Sequence, residues 1–323
     1  MVVESAAGFR RMSQLQWKAT LALSLAVAWL TIGSAVEVRF DGFPLNYALG
    51  LVFGIPAVVY TYRRFDPRVS ALCDTLALLA IFIQLAGMAS YLAAIFGAGA
   101  DFWDDRLLAT DRGLGFDWLA YLKLMAAHPA WARILNLAYV SILWQALVLV
   151  AVLGFTGRYR RLQTFTLAFQ IGSLACIASS ALMPALGAYA YLGISMAKDH
   201  PGIVLATMDT YVATLMQLRG ATPHLSTGVI EGIVTFPSMH MTLAVLFAWG
   251  FWGVPWLRWG ALALNGLMVF SIPLSGSHYL VDIAGGALVA VVALAVARWG
   301  ARRLYAPAAG VATIPAGVSA APA

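Results

Sequence analysis

The sequence predicts an all-α fold, a polytopic transmembrane helical bundle of about eight spans with an external amphipathic interfacial segment. Three observations predict it: 62% of the residues are hydrophobic and only 11% charged, mean hydropathy is +0.82, and the apolar residues gather in long stretches separated by short charged loops. A soluble domain carries about 25% charged residues, so a chain with less than half that share belongs in lipid. There the backbone must satisfy its own hydrogen bonds, which a helix of about 20 apolar residues does.

The expected spans cover 19–36, 44–62, 70–98, 134–155, 163–186, 238–254, 259–274 and 279–299. The first follows Arg10, Arg11 and Lys18 and ends near Gly33-Ser34-Ala35, so a cleaved signal segment is the alternative reading; the stretch exceeds the roughly 7–15 residues of a signal core. Pro56 falls inside the second span, where neighbouring helices tolerate a kink. The sixth and seventh are joined by PWLRW around Pro255 and Arg258, which predicts an antiparallel hairpin. With the amino terminus inside, thirteen of the 20 Lys and Arg fall on the cytoplasmic side and eleven of the 14 Asp and Glu on the other, in accord with the positive-inside bias.

Two external segments are long enough to hold structure. In 99–133, Trp103, Leu107, Leu114, Trp118, Leu122 and Met125 alternate with charges at helical spacing, predicting one or two amphipathic helices in the outer interface. Residues 187–236 are less apolar and lead into the sixth span, where they could lid a site. The tail 306–323, made of small residues and Pro without charge, is expected to be disordered and cytoplasmic. Cys73 and Cys176 both lie in apolar stretches and imply no disulfide framework. The sequence pI near 9.5 comes from charges that follow the membrane, with no basic surface for nucleic acid.

Chemistry-bearing residues gather where helices meet one side of the membrane. In FPSMHMT, Pro237 suits a first helical turn, Ser238 offers a hydroxyl there and His240 lies one turn in; free N–H groups and the helix dipole at such an end favour an anion. In SIPLSGSHYLVDIAGG, Ser275-Gly276-Ser277 predicts a turn and cap, after which His278 and Asp282 fall four apart on one helical face. The carboxylate can then accept a proton from one ring nitrogen and leave the other to attack. An ionisable Asp282 one turn into a span needs a partner, since a central Asp costs about 2.5–3.5 kcal/mol. His128, His200 and His224 read as interfacial or packed residues, and Gly285 and Gly286 as helix packing.

FPSMH followed by S-x6-H-Y-x2-D resembles the second and third signature motifs of the phosphatidic acid phosphatase type 2 superfamily, with Pro237, Ser238 and His240 matching the former and Ser271, His278 and Asp282 the latter. GLGFDW at 113–118, LRG at 218–220 and HYLVD at 278–282 resemble the branch containing inositol phosphorylceramide synthases. The superfamily phosphatases carry Arg after the third-motif Ser, where this chain has Ile272; their first motif has no clean equivalent, Lys198 and Arg219 being candidates by sign alone. One cation fewer suits a phosphodiester better than a dianionic monoester.

The resemblance implies a catalytic transmembrane domain over 19–305, preceded by a cytoplasmic segment 1–18, in a plasma or inner membrane with the active site on the periplasmic, extracellular or lumenal side. It implies a lipid phosphotransferase that moves a phosphorylated headgroup, phosphoinositol among the candidates, from a phospholipid donor to a lipid alcohol through a phosphohistidine. His278 would be the nucleophile, Asp282 its orienter and His240 the acid and base; Ser238, Ser271, Arg219 and Lys198 would bind phosphate oxygens, with no metal and no cofactor. A phosphatase using water as acceptor is the alternative, and a His/His/Asp zinc site the alternative chemistry. A transporter or scramblase is the reading from a different class; polar residues at one face instead of the midplane, and no internal repeat, argue against it.

Overall fold

Apolar runs bounded by capping and helix-ending residues become helices in the computed structural model, which describes residues 6–34, 36–200, 203, 210–226, 228 and 232–306. In chain order these are α1 (Ala6–Gly33), β1 (Glu37–Arg39), α2 (Leu45–Val58) continued by a π-helical turn (Val59–Arg63), α3 (Pro67–Phe96), α4 (Asp104–Gly113), α5 (Trp118–Ala127), α6 (Pro129–Val140), α7 (Ile142–Phe155) and α8 (Tyr159–Leu182). There follow α9 (Ala188–Tyr191), α10 (Met196–Asp199), α11 (Thr210–Leu218), β2 (His224–Ser226), α12 (Met239–Trp252), α13 (Arg258–Gly276) and α14 (Leu280–Leu304). The expected tail lies, but for Ala306, outside the described residues.

The chain is all-α in its architecture and built as an integral membrane protein. Six of the described helices are long and apolar enough to cross a bilayer: α1, α2 with its π turn, α3, α8, α13 and α14. The pair α6 and α7, bent by 48°, makes a seventh if it counts as one span. Ser141 sits at the bend and donates its hydroxyl to the Ala138 carbonyl at 2.7 Å, which competes with the helical ladder. The remaining expected span, 238–254, is the 14-residue α12, about 21 Å long against a hydrocarbon core of about 30 Å. Its length is fixed by the Pro237-Ser238 start and by Gly253 and Pro255 beyond its end.

Packing follows from sequence placement. Phe82, Leu149, Leu153, Leu162, Phe165 and Phe247 form the central core, with the Phe165 and Phe247 rings stacked at 5.6 Å. Asp74, inside α3, is satisfied by α1: Ser13 donates to it at 3.0 Å and Trp17 at 2.8 Å. Residues 99–133 hold α4, α5 and the start of α6, and their apolar side chains turn onto protein: Leu107, Trp118, Leu122 and Met125 are buried with Tyr189, Leu274 and Tyr279, while Leu114 is exposed. Two three-residue strands that the sequence did not announce pair in parallel, Glu37 opposite His224 and Arg39 opposite Ser226.

The turn at 253–257 folds α13 back against α12, and the turn at 277–279 sends the chain back again as α14, so α12 and α14 run the same way and begin side by side. That alignment positions the site.

Candidate active site

The α13–α14 turn builds one half of the site. Ser277 takes a left-handed conformation (φ 56°) that ends α13, and its carbonyl accepts the Ala188 N–H at 2.8 Å while its hydroxyl oxygen accepts the Tyr189 N–H at 2.8 Å. Gly187 permits this approach, since a Cβ there would stand 2.8 Å from the Tyr211 hydroxyl and 3.0 Å from the Ser277 carbonyl. The expected Ser275–Ser277 cap is displaced by two residues: Tyr279 is the N-cap of α14, and its N–H is accepted by Asp282 Oδ2 at 2.9 Å. His278 therefore stands just outside the helix, not on its face as the spacing predicts. The four-residue separation survives because the turn folds back, and His278 Nδ1 lies 3.1 Å from the same Asp282 Oδ2. Asp282 is fully buried, His278 is 4% exposed, and Asp282 Oδ1 has no hydrogen-bond partner.

The start of α12 supplies the other half. Ser238 caps it, its Oγ accepting the Met241 N–H at 3.4 Å, and Ser238 donates its own N–H to the Asp282 carbonyl at 3.0 Å. One turn on, the Thr242 hydroxyl donates to the Gly286 carbonyl at 3.0 Å. Gly286 is required for this crossing, because a Cβ would overlap the Ser238 carbonyl oxygen and meet Met241 Cβ at 2.9 Å; Gly285 packs likewise on Pro237 and Phe236. The brace sets His240, in the first turn of α12, at the helix end that meets the start of α14. Tyr139, from α6, stacks on the His240 ring with centroids 3.7 Å apart and planes 14° apart. Its hydroxyl and the His278 ring both crowd Gly276, where a Cβ would lie 2.8 Å from the former and 3.2 Å from His278 Nε2.

Two carboxylates that sequence reasoning missed hold this turn from outside. Asp104 accepts the N–H groups of Leu186 (2.8 Å) and Gly187 (2.9 Å) and the Tyr279 hydroxyl (2.9 Å). Asp111 accepts the N–H groups of Leu280 (2.8 Å) and Val281 (3.2 Å), two of the otherwise orphaned donors at the start of α14. Both are fully buried, and burial pushes both carboxyls above the ordinary carboxylate range although every donor opposes it. The signal in the sequence was their seven-residue spacing, which puts both on one face of α4.

The other expected phosphate ligands are distributed differently. Ser238 lies in the brace with its hydroxyl hydrogen still available to donate. Ser271 is buried in α13 and donates its hydroxyl to the Met268 carbonyl at 2.6 Å. Arg219 lies over the Phe102 ring and donates to the carbonyls of Gly97 (2.7 Å), Ala98 (3.2 Å) and Ala100 (2.5 Å), which cap the end of α3. Lys198 is exposed on the single-turn α10. Ile272, next to Ser271, is fully buried. His128 is exposed where α5 joins α6, and His224 is held in β2 by Gln217 at 2.6 Å.

A buried imidazole with Nδ1 against a carboxylate presents Nε2 as a nucleophile, and a second imidazole, on the helix start braced beside it, can move a proton. Among the described residues no three His, Cys, Asp or Glu side chains converge as metal ligands. No curated protein and no solved structure matches the chain. The sequence pattern of the PAP2 superfamily matches residues 105–296, more than half of the chain, from the second residue of α4 into α14. The chain belongs to the PAP2 superfamily, and with it to enzymes of the lipid phosphatase and phosphotransferase type.

Proposed function

We propose that the protein transfers a phosphorylated headgroup from a membrane phospholipid to a lipid alcohol through a phosphohistidine on His278. The observation that carries this reading is the 3.1 Å contact of His278 Nδ1 with buried Asp282, which commits that nitrogen and leaves Nε2 to attack. In the first step Nε2 bonds to phosphorus, the bond from phosphorus to the lipid oxygen breaks, and His240 delivers its proton to the departing alkoxide. In the second the acceptor hydroxyl gives its proton to His240, its oxygen bonds to phosphorus, and the P–N bond breaks.

Ser238 is the better placed serine for a non-bridging oxygen, because its hydroxyl hydrogen is not committed as that of Ser271 is. Arg219 would contact phosphate only by releasing three carbonyls. With Ile272 in place of a cation, the surroundings favour a singly charged diester over a dianionic monoester. We place the histidines on the non-cytoplasmic side, where the positive-inside bias puts the starts of α12 and α14.

Purified protein, freed of metal by a chelator, is incubated with head-labelled phosphatidylinositol and either ceramide or diacylglycerol. A labelled lipid product indicates transfer, whereas release of phosphate from phosphatidic acid without transfer indicates the hydrolytic alternative. Undiminished turnover by His278→Ala sinks both.

A further inference from the structure

At the opposite end of the bundle from the histidines, a cleft of about 450 Å3 opens between the start of α8 and the ends of α12 and α14. Arg298 lies eighteen residues into α14, about 27 Å along its axis from His278's end. Five arginines line the cleft: Arg158, Arg160 and Arg161 from the turn into α8, and Arg298 and Arg302 from the last turns of α14. No carboxylate is among its lining residues.

A positive-inside bias explains arginines in loops on one side of a membrane but not their convergence on one concavity. Arg298 and Arg302 are four apart on one helical face, so both guanidinium groups project to the same side of α14. Arg158 and Arg298 both act electrostatically on Arg161. Arg161 cannot swing away: Nε donates to the Gly250 carbonyl at 2.9 Å, a terminal nitrogen to the Trp249 carbonyl, and its plane lies over the Trp249 ring at 4.1 Å. The first turn of the 24-residue α8 has no side-chain cap, so the positive end of its dipole faces the same space. The volume falls within the range of ligand pockets, and guanidinium groups are the donors that match phosphate oxygens.

We infer that this arginine cleft binds a phosphate group, carried by the headgroup of an anionic phospholipid or free in solution, at a site separate from the histidines. Basic clefts between membrane helices suit phospholipid headgroups, with each surface arginine contributing about fivefold in affinity.

The test uses full-length protein carrying His278→Ala, so that no bound lipid turns over. Native mass spectrometry follows titration with dioleoyl phosphatidic acid, dioleoyl phosphatidylcholine and inorganic phosphate. Phosphatidic acid is expected to bind in preference to phosphatidylcholine. Arg298→Gln with Arg302→Gln weakens it about 25-fold, and the corresponding Lys pair retains most of it. Arg158→Gln, on a different element, is expected to lose about fivefold by itself, so the outcome does not depend on α14 alone. Displacement of the lipid by millimolar phosphate assigns the site to the shared anion, and lack of displacement assigns it to the lipid headgroup. Equal phosphatidic acid binding by the arginine variants and their parent overturns the inference.

Discussion

Replacing Asp111 by Ala tests whether the external helix α4 positions the histidine turn. The carboxylate takes the N–H groups of Leu280 and Val281 at 2.8 and 3.2 Å, and the next two acceptances along the same turn are Asp282 with Tyr279 N–H and with His278 Nδ1. Removing a helix cap costs about 0.5–2 kcal/mol, and an orphaned buried N–H about 1–3 kcal/mol. Leu280 and Val281 are only half-buried, so water replaces part of the loss, and the variant is also spared the burial of a carboxylate. The net expectation is about 1–2 kcal/mol of destabilisation. The kinetic effect is larger, because a shift of about 1 Å in a reacting group costs on the order of 100-fold. Asp111 does not face the reacting atoms, so kcat falls about 10- to 100-fold with KM nearly unchanged, and Asp111→Asn, which keeps an acceptor oxygen, recovers most of it. Melting in detergent and initial rates over a range of lipid concentrations measure both. A variant with kcat and melting temperature like those of the parent protein refutes the positioning role of α4.

Asp282→Asn turns an amide hydrogen towards His278 Nδ1 in one rotamer and a weaker acceptor in the other; kcat is expected to drop about 1,000- to 10,000-fold while the protein still folds, checked by single-turnover phosphate transfer. Gly286→Ala drives a methyl into the Ser238 carbonyl and Met241, so α12 must shift, costing about 1–3 kcal/mol and moving His240 away from His278; melting and turnover should fall together. The pH dependence of stability has a definite sign: burial raises the folded pKa of Asp104 and Asp111 above the ordinary carboxylate value of 3.8, so their contribution is full below that pH and is lost as pH rises through the folded values. The stability difference between parent and Asp104→Asn should therefore shrink from acid to neutral pH; a difference that grows would mean that the donors outweigh burial.

Much of this was legible because lipid imposes a simple code. Unbroken apolar runs fixed most of the helices, and Pro237-Ser238 and the His278–Asp282 spacing marked the two helix starts that meet. What was not legible has a common cause, since each case depends on a partner remote in sequence. Asp111 caps a helix that begins 169 residues later, and within an amphipathic segment a carboxylate reads as solvent-facing. Tyr139 is an ordinary interfacial aromatic until α6 folds beside α12 and lays it on His240. Arg219 has the sign that a phosphate wants, which is also the sign wanted by the carbonyls ending α3. Composition also hides where a helix stops: α12 is as apolar as its neighbours but is cut to 14 residues by its cap and by Gly253.

The family match spans residues 105–296 and so takes in Asp111, His240, His278 and Asp282, with Asp104 one residue before it. The turn bearing His278 is held by Asp104 through Tyr279 and the Leu186–Gly187 backbone, and by Asp111 through the first N–H groups of α14. Helix α4 is thus as integral to the site as α12 and α14. Helices α1 to α3 precede the match and meet it elsewhere: Gln16 of α1 donates to the Gln163 carbonyl of α8, Gln170 of α8 donates to Thr20, and the carbonyl end of α3 accepts Arg219. These contacts join the preceding helices to the matched region without touching the braces between α4, α12 and α14. Changes in α1–α3 should accordingly alter stability in the membrane before they alter the geometry at His278, whereas changes in α4 should do the reverse.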